Sequence, residues 1–167
     1  MTCRGFVVGG PQSGVGKTSV TVGLLRAFRR RGATVQPFKV GPDFIDPTHH
    51  RAAAGCWSHN LDGWMLDREA NGEIFARHTA GADIAVVEGV MGLFDGAAPG
   101  EAAGSTAEMA RWLDLPVVLV VDAWSMAGSI APLVAGFADF DPEVEIGGVV
   151  LNRVAGRKHA ELLEVAL

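Results

Sequence analysis

The stretch Gly10-Pro11-Gln12-Ser13-Gly14-Val15-Gly16-Lys17-Thr18 holds the residue types needed to wrap phosphate oxygens. Glycines let successive backbone N–H groups turn toward an anion. A lysine supplies charge for the β- and γ-phosphates, and a threonine hydroxyl can ligate Mg²⁺. The widespread form of such a loop, G-x-x-x-x-G-K-[ST], would need glycine at position 11. Pro11 stands there, and five residues separate Gly10 from Gly16, so the loop is a variant. Before it, Phe6-Val7-Val8 reads as a strand. After it, Thr18 to Arg31 reads as a helix with Val22, Leu25 and Phe28 along one side. Strand, glycine loop and helix together predict a site for ATP with Mg²⁺, its phosphates held by Gly14, Val15, Gly16, Lys17, Thr18 and Ser19. The plain alternative, a glycine turn carrying a solvated lysine, does not account for the flanking strand and helix.

Phosphoryl chemistry also needs carboxylates for the metal. Glu88 ends the apolar run Ile84-Ala85-Val86-Val87, where a glutamate is seldom left without a partner. It can hold Mg²⁺ directly or through water. Asp43 and Asp46 lie in Lys39-Val40-Gly41-Pro42-Asp43-Phe44-Ile45-Asp46-Pro47, and Asp95 lies in Leu93-Phe94-Asp95-Gly96. An aspartate beside proline or glycine can equally be a turn residue. Lys39 could neutralise an anionic substrate or the γ-phosphoryl group, and the Asn152 amide could meet a nucleobase; a surface lysine and a turn cap are the plain readings.

These residues need a scaffold that gathers them. The chain alternates apolar strands with helices: strands at 6–8, 34–39, 83–88, 116–122 and 146–151, helices at 18–31, 68–79, 105–113, 125 or 126 to 138 and 157–167, an irregular stretch at 40–66, and a long glycine-rich loop at 89–104. Strands apolar on both faces predict an α/β fold of the P-loop NTPase type, a mainly parallel sheet with helices on both faces. Ligands of such sheets bind beyond the carboxyl ends of the strands, and Lys17, Lys39, Asp43, Glu88, Asp122 and Asn152 all follow strands.

Composition narrows the function classes. The chain has 167 residues and a formal net charge of -5, and its Arg29-Arg30-Arg31 cluster sits late in a helix, where cations suit the dipole, so nucleic acid is not an expected partner. No apolar run reaches about 18 residues, so no membrane span is expected. The two cysteines form no C-x-x-C and no signal peptide is visible, which fits a cytoplasmic location. His49, His50, Cys56 and His59 match no standard zinc spacing. Trp57 and Trp64 could line a cleft for a large flat substrate, although tryptophans are packing residues by default. No Ser-His-Asp or Cys-His arrangement is visible.

Four segments taken in order resemble the cobyrinic acid a,c-diamide synthase family: Ser13 to Thr18, Phe38 to Pro47, Asn60-Leu61-Asp62-Gly63-Trp64-Met65, and Glu88-Gly89-Val90-Met91-Gly92-Leu93-Phe94-Asp95-Gly96. The resemblance spans essentially the whole chain. It implies residues 1–167 as a dethiobiotin-synthetase-like synthetase domain, the N-terminal part of a longer enzyme with a C-terminal glutamine amidotransferase domain. In that enzyme ATP would phosphorylate the a and c acetate carboxylates of a corrinoid, and glutamine-derived ammonia would convert each acyl phosphate to an amide. Carried over by position, Lys17 and Thr18 bind phosphate and Mg²⁺, and Asp43 and Glu88 match metal-binding and catalytic acids. Asp46 and Asp95 match acids of substrate activation, Lys39 a lysine near the transferred phosphoryl group, and Asn152 a nucleobase-side asparagine. A homodimer is one assembly open to it. The rival readings are a nickel-tetrapyrrole a,c-diamide synthase, cobyric acid synthase, dethiobiotin synthetase, or a switch ATPase of the division and partitioning type. The last would carry an additional lysine early in the loop, where Gln12-Ser13-Gly14 stands.

Overall fold

The computed structural model describes residues 3–98, 100 and 102–167. In chain order the elements are β1 (Arg4–Gly9), α1 (Lys17–Arg30), β2 (Val35–Val40), α2 (Asp46–Ala54), β3 (His59–Leu61) and α3 (Arg68–Thr79), then β4 (Ile84–Glu88), α4 (Thr106–Leu113), β5 (Val117–Asp122), α5 (Ile130–Asp139), β6 (Ile146–Asn152) and α6 (Arg157–Ala166). The strands form one six-stranded sheet in the order β3-β2-β4-β1-β5-β6, and every pairing is parallel.

The central strands are mostly apolar because they bury both faces. Successive side chains point to opposite sides of a strand. Val7, Val87, Leu119 and Val121 accordingly join one core, while Val8, Val86 and Val120 join the other. Met109 and Ala110 of α4, Ile130 of α5 and Leu163 of α6 close the first core. Leu25 of α1 with Ala53 and Ala54 of α2 closes the second. The same parity decides where the polar residues point. Phe38 and Val40 face the first core, so Lys39 between them faces the α1–α2 side, as does Glu88, two residues beyond Val86. Parallel register then sets Lys39 directly opposite Glu88.

The stretch expected to be irregular, 40–66, holds α2 and β3. Proline there is a start signal rather than a breaker: Pro47 lies in the first turn of α2, where its missing N–H costs nothing, and Gly55 ends the helix in a left-handed conformation (φ 81°). β3 is a three-residue edge strand, too short to show alternation. The helix expected from Ser125 or Met126 begins at Ile130, after a turn in which Ser125 is left-handed (φ 58°). α4 is capped from both sides: Ser105 Oγ accepts from Glu108 N, and the Glu108 carboxylate accepts from Gly104 N. The loop before it contains residues 99 and 101, which lie outside the described residues.

Candidate active site

The phosphate loop leaves β1 and enters α1 with Gly14 at φ 80° and Gly16 at φ 101°. A side chain at Gly16 would have to adopt an unfavourable backbone conformation and would also collide with the Asn152 amide. No side chain caps α1 and its first turn carries no acid, so its leading N–H groups remain available to an anion. Lys17 curls back over the loop and donates to Gln12 O at 3.0 Å and to Met91 O. Burial, then the neighbouring Lys39 charge, lowers the Lys17 pKa. Ser19 is exposed in the same first turn.

Around Glu88 the structure gathers residues from four elements. Thr18 Oγ1, in the first turn of α1, donates to Glu88 Oε1 at 2.6 Å. Lys39 Nζ, on β2, donates to the same oxygen at 3.1 Å and to Gly89 O at 3.0 Å. Asp46, at the start of α2, lies 2.7 Å from Lys39 Nζ, and Asp43 lies 4.0 Å away. The other oxygen, Glu88 Oε2, is 2.6 Å from His50 Nε2. Burial alone would raise the Glu88 pKa. The hydrogen bond from His50, the Lys39 charge and the Thr18 hydroxyl outweigh it, and the carboxyl is held down at about 2. Burial also works against the charged form of Lys39, but Glu88 and Asp46 keep its pKa above the ordinary lysine value.

Of the residues expected from sequence, Lys39, Asp46, Glu88 and Thr18 form this one cluster. Asp43 stands at its margin: its Oδ1 accepts from Ile45 N and Asp46 N and shapes the turn into α2, while Oδ2 faces Lys39. Asp95 closes its own turn by accepting from Gly92 N at 2.7 Å and makes no hydrogen bond to the cluster. Asn152 braces the phosphate loop, donating from its amide to Val15 O at 2.8 Å. The neighbouring Arg153 donates to Gly14 O and to Asp122. Asn60 and Asp62 act through backbone. The Asn60 amide donates to Asp43 O, and Asp62 Oδ1 accepts from Trp64 N and Met65 N.

Sequence reasoning missed His50, Ser58 and Arg153. His50 could have been found from its spacing four residues after Asp46, which puts both on one face of a helix once Pro47 is read as a helix start. Arg153 gave no signal beyond following a strand. Of the two tryptophans, Trp57 lines a cavity of about 770 Å³ with Phe44, Pro47, Arg51 and Asn60, and Arg51 stacks over its ring at 3.5 Å. Trp64 is not part of that cavity.

The donor set suits a nucleoside triphosphate with a hard divalent cation: a glycine cradle, a helix start, two lysines, a threonine hydroxyl and carboxylate oxygens. Residues 6–167 match the family described as the CobQ/CobB/MinD/ParA nucleotide binding domain. The chain belongs to that family. Its relatives include the cobyrinate a,c-diamide synthase of Syntrophotalea carbinolica, 56% identical over all of this chain and 36% of that protein. The hydrogenobyrinate a,c-diamide synthase of Brucella ovis is 52% identical over 98% of this chain and 37% of that protein. These names coincide with the group that the four sequence segments resemble, and the chain spans little more than a third of such relatives. Among solved structures, the signal recognition particle 54 kDa protein of Aeropyrum pernix, crystallised with GDP, superposes with a TM-score of 0.63 at 21% identity, covering 99% of this chain and 39% of that one. At that identity the likeness concerns the fold, and it agrees with the P-loop NTPase architecture expected from sequence. No described helix is long and apolar enough to cross a membrane.

Proposed function

We propose that this domain, as the N-terminal part of a longer enzyme, uses ATP and Mg²⁺ to activate the a and c acetate carboxylates of cobyrinic or hydrogenobyrinic acid for amidation. The observation that carries the reading is the convergence of Lys17, Thr18, Lys39, Asp46 and Glu88 at the strand ends, in a chain 52–56% identical to a,c-diamide synthases. A carboxylate is a poor electrophile, and transfer of the γ-phosphoryl group converts it to an acyl phosphate with a good leaving group. Ammonia released from glutamine elsewhere in the enzyme then displaces phosphate.

Each residue has a part in this reading. The loop N–H groups and Lys17 hold the β- and γ-phosphates. Thr18 and Glu88, already in contact, would hold Mg²⁺, with Asp43 facing the same space; the ion would draw charge off the phosphate oxygens. Lys39 is fixed by Glu88, Asp46 and Gly89 O, so its charge stands ready without reorganisation. It would neutralise the substrate carboxylate or the transferring group, and Asp46 and Asp95 would act in substrate activation. Asn152 would reach the nucleobase with its amide while bracing the loop. The cavity beside α2, with its exposed Phe44 and Trp57 and the Arg51 guanidinium, suits a flat macrocycle edged with carboxylates. Net charge gives no support for nucleic acid, and a cytoplasmic enzyme fits this chemistry.

The test is corrinoid-dependent ADP formation by the full-length enzyme, with hydroxylamine added to trap the acyl phosphate as a hydroxamate. Corrinoid hydroxamate at the a and c positions is expected. ADP release that ignores corrinoid, or that follows a nickel tetrapyrrole or a dethiobiotin precursor instead, overturns the substrate assignment.

A further inference from the structure

His50 is fully buried, yet both of its ring nitrogens have polar partners: Nε2 meets Glu88 Oε2 at 2.6 Å, and Nδ1 meets Ser58 Oγ at 3.0 Å. An ionised carboxylate can only accept, so Nε2 must carry a proton. In the singly protonated ring Nδ1 then accepts from the Ser58 hydroxyl. Ser58 sits just before β3, and α2 presents Asp46 and His50 one helical turn apart on the same face. One face of α2 therefore serves two site residues: Asp46 holds Lys39, and His50 holds Glu88.

We propose that His50 is a positioning residue for the phosphate–metal centre: by holding Glu88 Oε2, it leaves Oε1 as the one oxygen presented to Thr18 and Lys39. A carboxylate turns easily about its last bond, and a free one would offer either oxygen or both. With Oε2 held from behind, Oε1 receives the Thr18 proton and fixes the direction of that hydroxyl. The remaining Thr18 lone pairs are then free for a hard cation. Mg²⁺ demands near-ideal octahedral geometry, so a centre organised this way should lose Mg²⁺ affinity once the carboxylate can swing. The inference rests on the phosphate-site reading above and concerns neither the corrinoid nor glutamine.

The measurement is binding of a fluorescent, non-hydrolysable ATP analogue, first in EDTA and then titrated with Mg²⁺, for the unaltered protein, His50→Ala and His50→Gln. Lys17 and the loop N–H groups do not touch His50, so metal-free binding should stay within about twofold in both variants. His50→Ala should raise the Mg²⁺ concentration for half-saturation by about 10- to 100-fold, the range typical of groups that orient a metal ligand. His50→Gln, whose amide N–H can reach Oε2, should recover most of that loss. An unchanged Mg²⁺ requirement in His50→Ala overturns the inference. So does a parallel loss of metal-free and metal-dependent binding that Gln fails to rescue, which would make His50 a packing residue. Failure of the unaltered protein to bind the analogue overturns the phosphate-site reading and this inference together, so the two failures are distinguishable.

Discussion

Replacing Glu88 by Gln tests how the buried cluster is held together. The change keeps the shape of the side chain. Its carbonyl oxygen can still accept from Thr18 and Lys39, and its amide can donate to His50 if that ring moves its proton to the Ser58 side. What is lost is the charge. The Glu88 carboxyl is held at about 2 against an ordinary 4.5, so the folded protein favours the ionised form by about 3 kcal/mol. The sign follows from proton counting. Between these two values the unfolded chain binds a proton that the native state refuses, so stability falls as pH falls. The contribution is fully present above about pH 5 and fades as pH drops toward 2. Urea unfolding of the metal-free protein should therefore show Glu88→Gln less stable by about 3 kcal/mol at pH 7, with the gap shrinking to less than half of that by pH 3. A gap independent of pH would show that the loss is one of hydrogen-bond geometry. A gap below about 1 kcal/mol at pH 7 would show that burial offsets most of the attraction from Lys39 and His50.

Four further outcomes are expected, those on activity following from the proposed function. Lys17→Ala should abolish ATP-dependent amidation in the full-length enzyme, and normal turnover with normal ATP affinity would refute its phosphate role. Gly16→Ala meets both a left-handed backbone (φ 101°) and the Asn152 amide, so nucleotide affinity should fall by at least about tenfold in a binding titration. Trp57→Ala removes an exposed ring from the cavity beside α2; corrinoid KM should rise while nucleotide affinity and thermal stability hold. Leu119→Ala opens a hole in the first core, where Leu119 is fully buried, and should cost about 3 kcal/mol by urea unfolding without altering nucleotide affinity at temperatures where the fold persists.

What the sequence disclosed depended on how local the determining physics is. The phosphate loop was legible because every part of it is contiguous: strand, glycines, lysine, threonine and helix follow one another within β1 to α1. The parallel sheet was legible because strands buried on both faces are apolar at most positions, with polar residues near their carboxyl ends. The partner of Glu88 was not, because the pairing of Lys39 with Glu88 is a matter of register between β2 and β4, forty-nine residues apart in sequence. Parity along each strand shows which side a residue faces but not which neighbour it meets.

The same limit explains α2. Pro42, Pro47 and Gly55 looked like punctuation, yet two of them mark the start and the end of a helix whose hydrophobic pattern is weak. That weakness has a cause. A helix that turns Asp46 and His50 toward a buried ion cluster, and Pro47 and Arg51 toward an open cavity, has few positions left for apolar residues. Periodicity registers helices that exist to close a core. α2 contributes Ala53 and Ala54 to a core, but its other faces serve the ion cluster and the cavity, and its outline is drawn by its ends. A segment that carries two residues of the buried cluster therefore had a weak amphipathic signal, and end signals such as proline in a first turn and glycine past a last one are where such helices can be found.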